Sequence, residues 1–177
     1  MSGDAGTAIG SALYGHYCRN GGRYDPHKIK SVYWGKSYSD LETENALKKN
    51  EENIAWSKQT TEEVAETAAL KLKSGQILGW FQGGCEAGPR ALGNRSILAD
   101  PRRKNMKDIL NSRVKFRESF RPFAPSVLQE YAKDYFETDG TEYPFMLFVH
   151  PVKESKKSVI PAVTHVDGTA RIQTVNE

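Results

Sequence analysis

The stretch Gln76–Gln82, QILGWFQ, restricts the fold most, because Gly75 precedes it and the pair Gly83-Gly84 follows it. So short a run between glycine breaks is not an ordinary helix, and its Ile, Leu, Trp and Phe side chains are typical of a buried strand. Before it, Thr60–Glu63 matches a capping box, and Gly75 is well placed to end the helix that follows the box. A helix that leads directly into a strand favours an α/β or α+β fold.

The rest of the chain alternates in the same way. A second capping box at Ser39–Glu42 predicts a helix to about Lys49, and Arg95–Ala99 resembles a strand. Asp100-Pro101 then supplies an N-cap and a first helical residue for a helix whose apolar stripe is Met106, Ile109, Leu110 and Val114. Further predicted elements are a strand at Phe123–Leu128, a short helix near Glu130–Phe136, and strands at Phe145–Val152 and Ala170–Val175.

The composition excludes several classes of protein. The 177 residues include two cysteines, too few for a disulfide framework, and this number suits a reducing compartment such as the cytoplasm. No apolar run approaches the ~20 residues that a membrane helix needs. The first residues show no basic segment followed by an apolar one, so no secretory signal is expected.

Positive charge is concentrated in one window. Residues 90–121 contain ten Lys or Arg and three Asp or Glu, so the net charge of this window is +7. Because the net charge of the whole chain is +3, the rest of the chain carries −4. Such an excess can concentrate an anionic ligand even at a modest total charge. It favours a defined anion site and argues against general binding of nucleic acid.

Lys115-Phe116-Arg117 is the first candidate for that site. In a strand, Lys115 and Arg117 would point to the same face and Phe116 would enter the core. Arg121 follows four residues later, and two or three cations on one face can clamp a phosphate. The alternative is an exposed strand edge that simply carries charge.

Arg90 and Arg95 form the second candidate. Gly88-Pro89 and Gly93-Asn94 would hold their loop in tight turns, which lowers the cost of aiming an arginine at a ligand. The alternative is a surface loop in which these arginines pair with Glu86 and Asp100.

Other chemical groups give weaker signals. Asp4, in a Gly-Asp-Ala-Gly-Thr turn before a helix, could be an N-cap, a metal ligand or a nucleotide contact. The four histidines lack metal-ligand spacing, and for His165 a structural hydrogen bond is favoured over a ligand contact. Cys85 has no histidine nearby in the sequence to activate it, so we expect it to be inert.

Four long motifs occur in the order GDAGTAIGSALYGHY, EAGPRALGNRSILADPR, VKFRESFRPFAPSV and PAVTHVDGTARIQTV. Together they resemble the C-terminal half of the O-carbamoyltransferases that act on nodulation factors, aminoglycosides and cephem antibiotics. The resemblance implies a two-domain enzyme with a Kae1-like (ASKHA) N-terminal domain and a YrdC-like domain. The YrdC-like domain would form carbamoyl adenylate from carbamoyl phosphate and ATP. The Kae1-like domain would pass the carbamoyl group to a substrate hydroxyl with the help of Fe²⁺ or another divalent metal.

The resemblance also implies roles for individual residues. It places Arg90, Lys115, Arg117 and Arg121 at the catalytic site, and Arg90, Asn94, Arg95, Lys115, Arg117 and Ser119 at the nucleotide. Asp4 resembles a metal ligand whose histidine partners would lie upstream. At Gly84, Cys85 and Ala87 the chain departs from the family's Gly-Arg-Met-Glu-Phe run, which removes a cation and an aromatic side chain.

The implied domain plan is a Kae1-like tail at residues 1–20, a connection with a short helix at 21–52, and a YrdC-like domain at 53–177. That domain would be an open, twisted, mixed sheet with flanking helices. Both ends of the chain look like cuts inside a longer protein, and the Ser-x-Asn pair of the family is expected after Glu177, so we expect no turnover by this chain alone.

The expected partners are small-molecule substrates and the parent protein's Kae1-like domain, and a homodimer is compatible with the sequence. Two rival interpretations remain. One is an RNA- or nucleotide-binding YrdC-like module without transferase activity, and the other is a folded fragment without activity.

Overall fold

A computed structural model describes residues 4–20 and 31–176. Helices and short strands alternate along the chain, which confirms the α+β class. In order, they are α1 (Asp4–Asn20), α2 (Asp40–Lys48), α3 (Thr61–Lys73), β1 (Leu78–Phe81), β2 (Arg95–Leu98), α4 (Met106–Leu110), a π-helical turn (Asn111–Lys115), β3 (Ser126–Leu128), a 3-10 turn (Gln129–Tyr131), α5 (Ala132–Tyr135), β4 (Val149–Pro151), α6 (Glu154–Lys157), β5 (Thr169–Arg171) and β6 (Gln173–Val175).

Both predicted capping boxes are confirmed. The Ser39 hydroxyl accepts the N–H of Glu42, and the Glu42 carboxylate accepts the N–H of Ser39 at 3.0 Å. Thr60 and Glu63 exchange the same two bonds at 3.3 and 2.8 Å. Each box satisfies backbone donors that the first helical turn leaves unpaired. Gly75, with φ +89°, follows the end of α3 as expected.

The chain divides into two compact units. The first comprises Met1–Lys58 and Trp80–Ser96, and the second comprises Gln59–Gly79 and Ile97–Glu177. β1 and β2 pair in a two-stranded sheet. The domain boundaries after residues 20 and 52 stay predictions.

The second unit contains the main apolar core. β3 pairs with β6 in parallel, with Ser126 opposite Gln173, and β4 pairs with β5 in antiparallel, with His150 opposite Ala170. Buried side chains from α5 to β6 pack together there, namely Phe136, Val152, Ile160, Val163, Ala170 and Ile172. This core fixes the strand register, because a slip of one residue would turn the apolar side chains outward.

Several predicted elements differ in extent. The strand at Gln76–Gln82 shortens to β1, where Phe81 is 62% exposed instead of buried. The helix expected to begin at Asp100-Pro101 begins at Met106, because the Asp100 carboxylate accepts the backbone N–H and the guanidinium of Arg102 and so holds a turn. In the expected strand at Phe145–Val152, Met146 has φ +51°, and the strand that forms, β4, covers only Val149–Pro151.

Among residues 4–20 and 31–176, no helix combines the length and the apolar character of a membrane span.

Candidate functional site

The first unit folds the arginine loop, residues 83–95, around the carboxylate of Glu86. Oε1 of Glu86 accepts the backbone N–H groups of Leu92, Asn94 and Arg95 at 2.7, 2.9 and 3.1 Å. Burial opposes ionisation of Glu86, but the combined effect of the backbone hydrogen bonds is larger. The pKa of this carboxyl therefore lies below its usual value. The loop is therefore closed by a charged acceptor that the sequence analysis considered only as an arginine partner.

The Arg95 guanidinium contacts backbone carbonyl oxygens of its own unit. Nη1 donates to Gln82 at 2.6 Å and to Asn94 at 2.8 Å, and Nη2 donates to Gly83 at 3.1 Å. The guanidinium carbon also lies 3.5 Å from the centre of the Phe81 ring, a cation–π contact. These contacts make Arg95 a clamp for the loop, and its predicted contact with a nucleotide stays a prediction.

The side chains of Asn94 and Arg90, the other predicted residues of this loop, differ in how far the protein holds them. The Asn94 side chain donates to the Gly84 carbonyl at 2.7 Å. Arg90 is exposed, and within the part of the chain that the structure describes its side chain makes no hydrogen bond or ion pair. Of the two arginines, Arg90 is the one available to an anion.

The second unit places the cation loop, residues 115–121, around Asn111. Asn111 is 1% exposed, and its Nδ2 donates to the carbonyl oxygens of Ser119 and Arg121 at 3.3 and 3.0 Å. Its Oδ1 accepts Nε–H of Arg117 at 2.7 Å. One buried carboxamide therefore holds three positions of the loop.

Arg117 is half-buried and fixed in direction. Besides the bond to Asn111, its Nη2 lies 3.4 Å from the Pro122 carbonyl oxygen, and its guanidinium carbon lies 4.6 Å from the centre of the Phe123 ring. Among the described residues, Nη1 of Arg117 has no hydrogen-bond partner. A guanidinium held at Nε with Nη1 open is arranged to bind an anion with little loss of side-chain freedom.

The predicted strand at Lys115–Arg117 is wrong. Lys115 ends the π-helical turn, and Phe116 has φ +47° and ψ +52°, with its side chain 82% exposed. The Asn111 carbonyl accepts the N–H groups of both Phe116 and Arg117, so the chain reverses there and does not extend. Lys115 and Arg117 therefore do not share a strand face, and Phe116 does not enter the core.

The remaining residues of the cation loop are exposed. Lys115 makes no side-chain hydrogen bond or ion pair to any residue that the structure describes, and Nε of Arg121 lies 2.9 Å from Oε2 of Glu118. Both side chains of that pair are about half exposed, so an anion in solution can compete for Arg121. Ser119 is exposed and contributes its backbone carbonyl to Asn111.

Two groups of predicted site residues therefore stand in two units. Arg90, Asn94 and Arg95 belong to the first, and Lys115, Arg117, Ser119 and Arg121 belong to the second. That both groups meet around one ligand stays a prediction. The sequence analysis did not predict a role for Asn111. The pattern that could have indicated one is its position as a polar residue between Leu110 and Val114 of the predicted apolar stripe.

The metal implied by the resemblance has no complete ligand set in the described residues. Asp4 begins α1, but its side chain lies outside what the structure describes. No three His, Cys, Asp or Glu side chains of residues 4–20 and 31–176 are grouped to hold a metal ion. His165 Nδ1 lies 3.1 Å from the Thr169 hydroxyl, consistent with the structural hydrogen bond favoured above.

A cleft of about 490 Å³ also lies in the second unit. Its walls are largely apolar and include Pro101, Val127, Tyr131 and Tyr135, with Arg102 and Lys156 among its charged residues. None of the predicted site residues lines it, so a nucleotide there would contradict their assignment.

Comparison with known proteins identifies the family. Residues 69–177 match the family described as Carbamoyltransferase C-terminus. The chain belongs to this family. The matched range contains both the arginine loop and the cation loop, so every predicted site residue except Asp4 falls within the family's own region.

Several relatives of the family align with almost the whole chain. The nodulation protein NolNO of Sinorhizobium fredii is 49% identical over 98% of this chain and 25% of its own length. The nodulation protein NolO of Bradyrhizobium diazoefficiens is 50% identical over 98% of the chain and 32% of its length. The 3'-hydroxymethylcephem-O-carbamoyltransferase of Amycolatopsis lactamdurans is 39% identical over 98% of the chain and 30% of its own length. The chain thus spans a quarter to a third of the length of these relatives.

Proposed function

We propose that this chain is part of an ATP-dependent O-carbamoyltransferase and that its cation loop binds the phosphates of the reactants. Family membership supports the carbamoyl transfer and carbamoyl phosphate as the donor. The observation that carries the phosphate assignment is Arg117, whose guanidinium is fixed by buried Asn111 with Nη1 open. Lys115 and Arg121 supply two more cations in the same seven-residue loop.

The proposed reaction has three steps. Water converts carbamoyl phosphate into carbamate and inorganic phosphate. A carbamate oxygen then bonds to the α-phosphorus of ATP, the bond from that phosphorus to the bridging oxygen breaks, and pyrophosphate leaves. The acceptor hydroxyl, on a nodulation factor or another sugar or antibiotic, finally attacks the carbamoyl carbon and releases AMP, and the hydroxyl proton passes to a base.

Fixed cations suit the second step of this sequence. Negative charge grows on the departing pyrophosphate, and groups already aimed there stabilise it without reorganising. Arg binds phosphate oxygens through a planar fork, whereas Lys acts as a point charge, so Arg117 and Lys115 are not interchangeable. Removal of one such group from the intact enzyme is expected to cost about 10²–10³ in rate.

Further parts of the proposal concern the surroundings of this site. The acceptor would bind to the Kae1-like domain of the parent protein, where a divalent metal held in part by Asp4 would act. Two free, exposed cysteines, Cys18 and Cys85, support a cytoplasmic location.

Calorimetric titration of ATP into this chain at fixed ionic strength tests the phosphate assignment. We expect saturable binding that weakens at least tenfold in Arg117→Ala. Arg113→Ala is the matched control, because Arg113 is an exposed cation of the π-helical turn that precedes the loop. Equal weakening in both variants would show only general attraction to positive charge and would contradict the site.

The rival RNA-binding function predicts a different outcome. RNA binding that ATP does not displace, with an affinity that falls steeply as salt rises, would support that module instead. Absence of both ATP and RNA binding to the wild-type chain would support the inactive fragment.

A further inference from the structure

Phe116 occupies a backbone conformation that few bulky residues adopt. Its φ of +47° and ψ of +52° lie in the left-handed region, where glycine or asparagine is usual. Its ring is 82% exposed, and within the described residues it forms no ring stack or cation–π contact. Neither backbone preference nor burial in this unit explains a phenylalanine at this position.

The surroundings of the ring indicate what it contacts. Phe116 stands between Lys115 and Arg117, and the Arg117 side chain turns toward Asn111 and the Phe123 ring while the Phe116 ring is left in solvent. Phe120, also in the cation loop, is 76% exposed, and the loop carries three cations and one acid. Exposed rings among cations are how proteins bind single-stranded nucleic acid without base-specific hydrogen bonds, and the base of a single nucleotide offers the same flat face for stacking.

We propose that Phe116 stacks on the nucleobase of the nucleotide whose phosphates the cation loop holds. This inference rests on the proposed function, which accounts for the phosphates and leaves the base without a contact. A nucleobase offers a flat π face to an exposed ring, and the left-handed backbone at Phe116 keeps the ring outward while Arg117 stays fixed. Phe116 is thus a specificity residue that distinguishes a nucleotide from a bare polyphosphate.

A comparison of ATP with inorganic tripolyphosphate tests this role, because tripolyphosphate has the phosphates and lacks the base. We expect Phe116→Ala to weaken ATP binding about tenfold and to leave tripolyphosphate binding within about twofold. Phe116→Tyr keeps a ring and should retain ATP affinity. Arg117→Ala should weaken the binding of both ligands, since it removes a phosphate contact.

Two controls separate the ring from the backbone and from unrelated surface changes. Phe116→Gly accepts the left-handed conformation, so it should lose the same ATP affinity as Phe116→Ala if the ring is what binds. Phe148→Ala removes a ring of the same unit that is 58% exposed, and it should leave the affinity for both ligands unchanged. Circular dichroism of each variant establishes that it is folded.

Three results would overturn the inference. If Phe116→Ala changes ATP and tripolyphosphate binding equally, or changes neither, the ring does not contact the base, although the proposed function stands as long as Arg117→Ala loses ATP. If Phe116→Gly retains full ATP affinity, the ring is again dispensable. If the wild-type chain binds neither ligand, the proposed function and this inference fall together.

Discussion

Oδ1 of Asn111 accepts Nε–H of Arg117 at 2.7 Å, across six residues and a reversal of the chain. The other end of the same carboxamide donates to the carbonyl oxygens of Ser119 and Arg121. Asn111 is buried, so neither end can exchange its partners for water. The direction of the arginine proposed to bind phosphate is therefore set by a neutral, buried residue.

Replacing Asn111 by alanine should lower the free energy of unfolding by about 1–3 kcal/mol, because the hydrogen bonds of its buried carboxamide to Arg117, Ser119 and Arg121 are lost. Urea denaturation measures this change. Ser112→Ala is the control, since the Ser112 hydroxyl is exposed and bonds only to carbonyls of its own helical turn, at Asp108 and Ile109. An Asn111→Ala variant as stable as Ser112→Ala would contradict the role assigned to the carboxamide.

Replacing Glu86 by alanine should destabilise the arginine loop by about 1–3 kcal/mol, because three backbone N–H groups lose their acceptor. Glu86→Gln keeps an acceptor oxygen and should cost less. Hydrogen exchange at Leu92, Asn94 and Arg95 provides the measurement, with faster exchange expected in the alanine variant. Unchanged exchange at these three amides would show that the carboxylate does not hold the loop.

Stability should depend on pH through Asp100. Hydrogen bonds from Arg102 lower the pKa of this carboxyl against the opposing effect of burial. Because the folded pKa lies below the unfolded value of about 3.9, the stabilisation is fully present above that value and is lost as pH falls through the folded pKa. The difference in unfolding free energy between wild type and Asp100→Asn should therefore shrink as the pH falls below about 3.9.

Asp108→Asn is the control for this titration, because Asp108 is an exposed aspartate of the same unit. A difference between wild type and Asp100→Asn that stays constant over the whole range would show that the ionised carboxylate contributes nothing.

The pKa of Asp139 should respond to Tyr143. The Tyr143 hydroxyl donates to Oδ1 of Asp139 at 2.6 Å, and with donors from Thr141 it lowers the pKa of this carboxyl to about 2. Tyr143→Phe removes the first of these donors, so the pKa should rise toward its ordinary value of about 3.9. Carboxyl carbon NMR titration reports the change, and Asp167, whose pKa is lowered by Thr169, should not move.

Local patterns predicted the local structure well. Both capping boxes connect residues three positions apart, so their hydrogen bonds need nothing from the rest of the chain. The order of the four long motifs was sufficient to predict the family, which comparison then confirmed. The α+β class followed from the alternation of helical and extended segments, which is also a property of short windows.

The same patterns failed where hydrogen bonds formed in the folded chain decide the conformation. Lys115-Phe116-Arg117 alternates like a strand, yet the Asn111 carbonyl accepts two successive N–H groups and turns the chain outward at Phe116. Asp100 was predicted as an N-cap, yet its buried carboxylate accepts the guanidinium of Arg102, two residues later, and the segment forms a turn.

The sequence by itself determined where helices begin, which residues carry positive charge and which family the chain belongs to, because each depends on contacts or identities within a short span. Only the tertiary structure decided that Asn111 directs Arg117, that Glu86 closes the arginine loop and that Phe116 faces solvent. The physical reason is that a buried polar group must be satisfied by whichever partner the folded chain brings to it, and that partner is fixed by the packing of the whole unit.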